Sequence, residues 1–385
     1  MPIVFVHGVN TRKGPVYDNA ERIRTDFIKG IILPELGRDP AAITFRNVYW
    51  GDDGVKFRWN QASLPDPEKQ EEAFGAADPR DAELVEQLPD LAAWAGKASI
   101  IEVAKVSMPE AVDLLWGATA LNIQDPDERA ELAKAYLDSI RYAETHPHPE
   151  WLDNAKPGNF GDQLVSAIKK ERPAGDEAFG ASFTQKLSET AKRLSNVFGN
   201  TTGDAAVALG RRKAHLAASV FVGDVFEYLM TRGTKEAPGK IPANVTSVLR
   251  EARAHVTQAD PELIVLAHSL GGVISYDVLT YFAPDIEVDK FVSIGSQVGL
   301  FEEMGMYMWN KANRDQTPTG KLKPPQKLKK WINVFDTTDM FAFRVGAVFD
   351  GASDFSYNTG YGIAGAHSGY FARPSFYARL AERLK

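Results

Sequence analysis

Cysteine is absent from this 385-residue chain, and so are long apolar runs and an excess of positive charge. Without cysteine the chain cannot form disulfides, thiolate metal sites or a cysteine nucleophile. No uninterrupted apolar run reaches about 18 residues, so we expect no membrane-spanning helix. The formal net charge of −7 argues against general nucleic-acid binding, because that function needs a basic surface.

The amino terminus also lacks a basic leader. Met1 to Phe5 runs directly into an apolar strand pattern, so we expect no secretory signal peptide. The lack of cysteine is compatible with a reducing compartment, and we therefore expect a cytoplasmic protein. Hydrophobic residues make up 44% of the chain and charged residues 25%, which is ordinary for a globular protein of one large domain or two.

The most informative stretch is residues 263–277, Leu-Ile-Val-Leu-Ala-His-Ser-Leu-Gly-Gly-Val-Ile-Ser-Tyr-Asp. Four apolar residues predict a buried strand, and a helical pattern begins directly after Gly272. The turn between them carries Ser269, with the small residues Ala267 and Gly271 two positions before and after it. A serine at the apex of a strand–turn–helix has the geometry of a nucleophile elbow.

This stretch resembles the α/β-hydrolase superfamily, and within it the serine esterases and lipases. The usual pattern is Gly-x-Ser-x-Gly, and here Ala267, the next smallest residue, replaces the first glycine. The resemblance implies that Ser269 is the nucleophile and that the N–H of Leu270 donates one oxyanion hydrogen bond. By the match of His7-Gly8 to the loop after the family's third strand, the N–H of Val9 is the second donor. We expect His7 itself to be structural rather than catalytic.

The resemblance also implies a triad in the chain order serine, acid, histidine. Of the seven histidines, only His367 lies beyond residue 268, so His367 is the expected base. Similar lipase-like hydrolases carry a Trp-x-Asn strand followed by two acids three residues apart, the second being the triad acid. The match to Trp331-Ile332-Asn333 favours Asp339 as the acid. Asp336 is the alternative acid, and if it is not the acid we expect it to cap the turn.

The expected fold class is α/β, with a mostly parallel sheet that is reduced at its N-terminal edge because the chain begins at the family's third strand. The predicted strands are 2–6, 43–50, 263–266, 288–294, 331–335 and 355–357, and the predicted helices of the core include 16–36 and 241–257. We expect residues 1–54 and 241–385 to form the hydrolase core and residues 55–240 to form a helical cap or insertion. The helical segments predicted within it are 81–95, 98–106, 109–121, 127–144, 161–170, 182–197 and 204–230.

These features predict a serine hydrolase that cleaves carboxylic esters, including lipid or acyl esters, through an acyl-enzyme and without metal or organic cofactor. The same machinery would serve an amidase or thioesterase. A different class of alternative is a scaffold that binds protein partners through the helical insertion. The basic segment 321–330 leaves contact with a membrane surface as a further alternative to its being a solvated loop.

Overall fold

A computed structural model describes residues 2–41, 43–61, 99–123, 125–171, 185–192, 194, 203–258, 260–311, 318–361 and 365–385. Six strands form one all-parallel sheet with the strand order β2-β1-β3-β4-β5-β6. The strands are β1 (Ile3–Val6), β2 (Phe45–Val48), β3 (Ile264–His268), β4 (Val288–Ile294), β5 (Leu328–Phe335) and β6 (Ala352–Ser356). An α/β architecture and all six predicted strands are thereby confirmed.

Helices connect these strands. They are α1 (Pro15–Phe27), α2 (Leu33–Glu35), α3 (Ile100–Val106), α4 (Met108–Asn122), α5 (Pro126–Thr145), α6 (Phe160–Glu171), α7 (Gly203–Thr231), α8 (Lys240–Ala254), α9 (Leu270–Asp277), α10 (Val298–Glu303), α11 (Ala366–Gly369) and α12 (Pro374–Leu384). A π-helical turn, Ile28–Ile32, joins α1 to α2, and a second one, Val278–Phe282, extends α9.

Most of the helices predicted from the sequence are confirmed. The predicted helix 81–95 lies outside the described residues, and of the predicted helix 182–197 residues 185–192 are helical. One expectation was wrong: the basic segment 321–330 is not a loop throughout, because Leu328 to Lys330 already belong to β5. Within the described part of the chain, no helix is both long and apolar enough to cross a membrane.

The chain divides into two compact units, of which the first comprises residues 1–18, 39–65 and 213–358. It contains the whole sheet. Helix α8 packs on β1 and β2, and α9 packs on β1 and β3. Strands β1 and β3 are apolar along most of their length because their side chains are buried on both faces.

The order of the strands reverses beside β1. The chain passes from β1 outward to β2, and then returns to place β3 on the other side of β1. Val6 pairs with Ala267 at the end of this β1–β3 ladder. Such a reversal leaves a crevice at the carboxyl ends of the two strands, which is where open α/β sheets bind ligands. Gly8 and Ser269 follow these two strand ends.

The second unit comprises residues 19–38, 66–212 and 359–385. Helix α12 packs there against α4, α5 and the π-helical turn Ile28–Ile32. The predicted division differs from these units. It assigns residues 1–54 and 241–385 to the core and residues 55–240 to the insertion, whereas each unit contains parts of both. As an assignment of functional domains, that division stays a prediction.

Candidate active site

Ser269 occupies the turn between β3 and α9 with a strained backbone. Its φ is 53° and its ψ is −129°, a combination that residues with a side chain rarely adopt. Hydrogen bonds hold it on both sides: Ser269 N donates to Ile294 O at 3.0 Å, and Ser269 O accepts from Gly272 N at 3.0 Å. The Ser296 hydroxyl donates a further bond of 2.7 Å to Ser269 O.

Two glycines allow the first turn of α9 to approach its neighbours. A Cβ on Gly271 would lie 2.5 Å from His7 O and would clash with Val6 O, at the end of β1. A Cβ on Gly272 would clash with the hydroxyl of Ser296. The turn is therefore packed directly against the loops after β1 and β4, which is why small residues are needed there.

The loop after β1 lies against the Ser269 side chain. A Cβ on Gly8 would lie 2.5 Å from the Cβ of Ser269 and 3.0 Å from His268 O, so only glycine fits at this position. Among the described residues, neither the N–H of Val9 nor that of Leu270 donates a hydrogen bond. Leu270 directly follows Ser269 in the chain, and Val9 directly follows Gly8, which packs on Ser269. That these two N–H groups form the oxyanion hole stays a prediction.

His7 is a buried structural histidine. Its Nε2 accepts a hydrogen bond of 2.9 Å from Trp50 N, which assigns the proton to Nδ1, and Nδ1 donates to Gly8 O at 2.8 Å. The imidazole stacks on the Trp50 ring with the centroids 4.8 Å apart, and Trp50 Nε1 donates to His7 O at 2.8 Å. With both ring nitrogens engaged in the backbone, His7 orients the loop that carries Gly8 and Val9.

Asp336 and Asp339 are both buried in the loop that follows β5. Asp336 Oδ1 accepts from Thr338 N and from the Thr338 hydroxyl, each at 2.8 Å. Asp339 Oδ1 accepts from Phe341 N at 2.9 Å. Each aspartate therefore caps its own turn, as expected for Asp336 and in addition to the role predicted for Asp339. Both line a depression of about 400 Å³ at the carboxyl end of β5.

The loops after β4 and β5 are joined to each other. Gln297 Nε2 donates to Phe341 O at 2.6 Å, and Phe343 N donates to Ser296 O at 3.0 Å. Ser296 thus contacts the serine turn with its hydroxyl and the aspartate loop with its carbonyl. Ser296, two residues after β4, therefore connects the turn of the predicted nucleophile to the loop of the predicted acid.

His367 lies in the second unit, half-buried in the short helix α11. A Cβ on Gly369 would clash with the Tyr361 ring, which lies 4.3 Å below the guanidinium of Arg373. Arg373 is buried and pairs with Glu110 at 2.9 Å and Asp113 at 3.3 Å on α4. The histidine segment is thereby anchored to the inserted helices, and the assignment of His367 as the base stays a prediction.

Asp224 is a buried residue of this region that the sequence analysis did not identify. It lies on α7 and accepts hydrogen bonds from Asn10 N at 2.9 Å and Val55 N at 2.8 Å. Its carboxylate also forms a two-point ion pair with Arg12. The one signal in the sequence is an acidic residue within the otherwise apolar run Val220–Phe226, a position where an unpaired charge would be costly to bury.

The described residues contain no group of three or more His, Asp or Glu side chains placed to hold a metal ion. Comparisons of the chain with protein-family models, with curated proteins and with solved structures find no match.

Proposed function

We propose that this protein is a serine hydrolase of the α/β-hydrolase fold that cleaves carboxylic esters, including lipid or acyl esters. The observation that carries the proposal is the strained Ser269 at the turn from β3 to α9, with Gly8 packed on its Cβ. Leu270 follows this serine in the chain and Val9 follows Gly8, and the backbone N–H groups of both donate to no described residue. That combination serves a nucleophile and the oxyanion that its attack creates.

The topology of the sheet supports the same proposal. Ser269 and the Gly8–Val9 loop follow the two strands at which the strand order reverses, where open α/β sheets build their sites. The acid candidates Asp336 and Asp339 follow β5, later in the chain than the serine, and His367 follows β6. This is the chain order serine, acid, histidine of the α/β-hydrolase triad.

In the proposed mechanism Ser269 Oγ attacks the ester carbonyl carbon while His367 takes the hydroxyl proton. Asp339 orients His367 and stabilises its cation. The carbonyl oxygen becomes an oxyanion that accepts from Val9 N and Leu270 N. The bond to the leaving oxygen then breaks, the alcohol takes its proton from His367, and an acyl-enzyme remains. Water, deprotonated by His367, attacks the acyl carbon and releases the acid and Ser269.

A fluorophosphonate probe tests the proposal, because it forms a stable adduct only with an activated nucleophile. We expect one adduct on the wild-type protein, on the peptide that contains Ser269. Ser269→Ala should remove the adduct and lower ester turnover on the order of 10⁴–10⁶-fold. The matched control is Ser275→Ala, since Ser275 is a buried serine of α9, the helix that follows Ser269, and its hydroxyl donates to Gly271 O at 2.7 Å.

The outcomes separate the alternatives. No adduct on the folded wild-type protein would overturn the proposal and favour a protein that binds partners without catalysis. An adduct on Ser269 combined with turnover of amides or thioesters, but not of esters, would keep the nucleophile and overturn the substrate class. Unchanged turnover by Ser269→Ala would show that Ser269 is not the nucleophile.

A further inference from the structure

We infer that Asp224 is a positioning residue that holds the segment Gly8–Arg12, here called the oxyanion loop, in the geometry that presents Val9 N–H to the reacting oxygen. The inference rests on the proposed function, because the loop has an oxyanion only if Ser269 attacks a carbonyl. Asp224 contacts neither Ser269 nor substrate in this assignment. It acts through the loop.

The carboxylate of Asp224 is fully buried and accepts four hydrogen bonds from two segments, the oxyanion loop and the loop after β2. Oδ1 accepts from Val55 N at 2.8 Å and from Arg12 Nη2 at 2.7 Å. Oδ2 accepts from Asn10 N at 2.9 Å and from Arg12 Nη1 at 3.2 Å. A buried carboxylate that binds its donors this completely is held in one position, because each lost bond would leave a desolvated group unpaired.

Hydrogen bonds hold the peptide groups on both sides of Val9, and they thereby determine the direction of the Val9 N–H. Gly8 O accepts from His7 Nδ1 at 2.8 Å, and in a trans peptide the N–H of the next residue points the opposite way from that carbonyl. The following peptide is held by Asn10 N on Asp224 and by the Thr11 hydroxyl on Val9 O at 3.3 Å. Val9 therefore lies between two fixed peptide planes, one set by His7 and the other by Asp224.

The bond to Asp224 also holds the loop in an uncommon backbone conformation. Asn10 has a φ of 57°, in the left-handed region that most residues with a side chain avoid and that asparagine adopts more readily. Its N–H bonds a side chain on α7, more than two hundred positions later in the chain. Without that acceptor the loop could relax toward an ordinary conformation and carry Val9 N–H away from Ser269.

The surroundings of Asp224 are built to fit it. A Cβ on Gly54 would lie 2.5 Å from Asp224 Oδ1, so glycine lets the loop after β2 close over the carboxylate. A Cβ on Gly223 would lie 2.7 Å from a methyl carbon of Val55, so the helix approaches that loop closely as well. The placement of α7 at this point is thereby coupled to the placement of the oxyanion loop.

Asp277 provides a matched control for Asp224. It is also a fully buried aspartate of the first unit, and it also bonds α7 through Tyr228 at 2.8 Å. It pairs as well with Arg232, the residue after α7, at 2.8 Å. Its other oxygen accepts from Met308 N at 3.1 Å. None of these partners belongs to the oxyanion loop, so loss of the Asp277 charge should disturb α7 without disturbing Val9.

The experiment compares Asp224→Asn with Asp277→Asn after both are checked for folding by circular dichroism. In Asp224→Asn the introduced amide would direct an N–H₂ group at donors that need an acceptor, so the loop shifts. We expect kcat for an ester substrate to fall by about 10²-fold, the size expected for a displacement near 1 Å, with little change in KM. Affinity for a trifluoromethyl ketone, whose serine adduct carries an oxyanion, should fall in parallel. Asp277→Asn should keep kcat and ketone affinity near the wild-type values.

The inference is overturned if folded Asp224→Asn keeps wild-type kcat and ketone affinity, or if Asp277→Asn loses as much as Asp224→Asn. Should Asp224→Asn not fold, Arg12→Gln removes two of the four bonds from the loop side and leaves α7 intact. A smaller loss of kcat at unchanged KM then supports the inference, and wild-type kcat overturns it.

Amide hydrogen exchange separates failure of this inference from failure of the proposed function. If the wild-type protein shows neither turnover nor a fluorophosphonate adduct on Ser269, the proposed function fails, and with it the catalytic role of Asp224. Amide exchange still tests whether Asp224 holds the oxyanion loop in place. Faster exchange at Asn10 in Asp224→Asn, relative to Asp277→Asn and to the β3 amides, supports it, and unchanged exchange overturns it.

Discussion

Ser269 illustrates how one residue depends on its neighbours for its conformation. Its unusual backbone costs on the order of 1–3 kcal/mol, and the bonds from Ser296 and to Ile294 hold the residue there. Gly8 and Gly271 let two other segments approach as closely as this turn requires. A strained serine held this tightly is typical of a site where reactivity depends on fixed geometry.

At the same scale, His367→Ala tests the base. If His367 takes the proton of Ser269, its loss should cost about as much as loss of the serine, on the order of 10⁴–10⁶ in turnover. The measurement is ester hydrolysis by the purified variant. His146→Ala is the control, because His146 is a partly exposed histidine of the same unit that contacts Glu171 at 3.0 Å. Near-normal turnover by His367→Ala would assign the base to another group.

A further residue-scale prediction concerns the two acids. Asp339→Asn should lower kcat by roughly 10⁴-fold, because an amide cannot hold the imidazole in the useful tautomer. Asp336→Asn should mainly lower the melting temperature, since Asp336 Oδ1 accepts two bonds within its own turn. Measurements of kcat and of the melting temperature of both variants show which aspartate matters more for catalysis and which for stability. If Asp336→Asn shows the larger loss of kcat, Asp336 is the triad acid.

At the scale of elements, the two ends of the strands carry different groups of residues. The carboxyl ends of β1, β3 and β5 carry the candidate site, and the amino-terminal end of β4 carries an ion cluster. There Asp289 accepts from Leu263 N, Arg253 and Lys329 at 2.8, 3.0 and 2.7 Å. This cluster connects α8 to β3, β4 and β5 at the amino-terminal ends of these strands, whereas the candidate site lies at the carboxyl ends.

Asp289→Asn should therefore reduce stability without reducing the turnover of folded protein. Burial acts to raise the pKa of Asp289, but the Lys329 and Leu263 hydrogen bonds and the charges of Lys329 and Arg253 outweigh it and leave the pKa below its ordinary value. A lowered carboxyl pKa contributes stability above its unfolded value of about 3.9 that is lost as pH falls through the folded value. We expect a loss of about 1–3 kcal/mol at pH 7.

Urea unfolding of Asp289→Asn and wild type at neutral and acidic pH checks this prediction. The difference in unfolding free energy should shrink below about pH 4. Asp285→Asn is the control, because Asp285 pairs with Arg250 at 2.6 Å at an exposed position, and exposed pairs contribute less than about 1 kcal/mol. A difference that is constant with pH would show that packing, and not the charge of Asp289, provides the stability.

At the scale of the whole molecule, the predicted helical insertion contributes to more than one part of the protein. The carboxyl-terminal part of α7 belongs to the first unit, where Phe221 stacks on Phe341 with ring centroids 4.3 Å apart. Asp224 of the same helix binds the oxyanion loop. Ser269 is fully buried. That residues 55–240 as a whole form a cap that decides substrate choice stays a prediction.

The composition of the whole chain leads to a prediction about inhibitors. Because the sequence contains no cysteine and the proposed mechanism uses no metal, thiol reagents and chelators should leave ester turnover unchanged. A serine-directed fluorophosphonate should abolish it under the same conditions. The three treatments are compared on one preparation. Loss of turnover in the chelator, restored by added metal, would contradict the proposed mechanism.

Much of the fold could be predicted from local patterns in the sequence. Strands buried on both faces are continuous apolar runs, so β1 and β3 were recognisable within a residue or two at their ends. The Ser269 turn was recognisable because its small neighbours, Ala267 and Gly271, lie within two positions in the chain. Asp224 was not identified, because the apolar run around it does not show which residues, distant in the chain, pair with its carboxylate.

The sequence by itself determined where strands and helices form and which serine stands at a strand-to-helix turn, because those properties depend on residues a few positions apart. Only the tertiary structure decided that β3 returns beside β1, that Gly8 packs on Ser269, and that Asp224 binds Asn10 across more than two hundred positions. It also decided that Arg373 near the carboxyl terminus pairs with Asp113. Such contacts arise from how buried surfaces and buried charges find partners in space, and chain order does not encode that pairing locally.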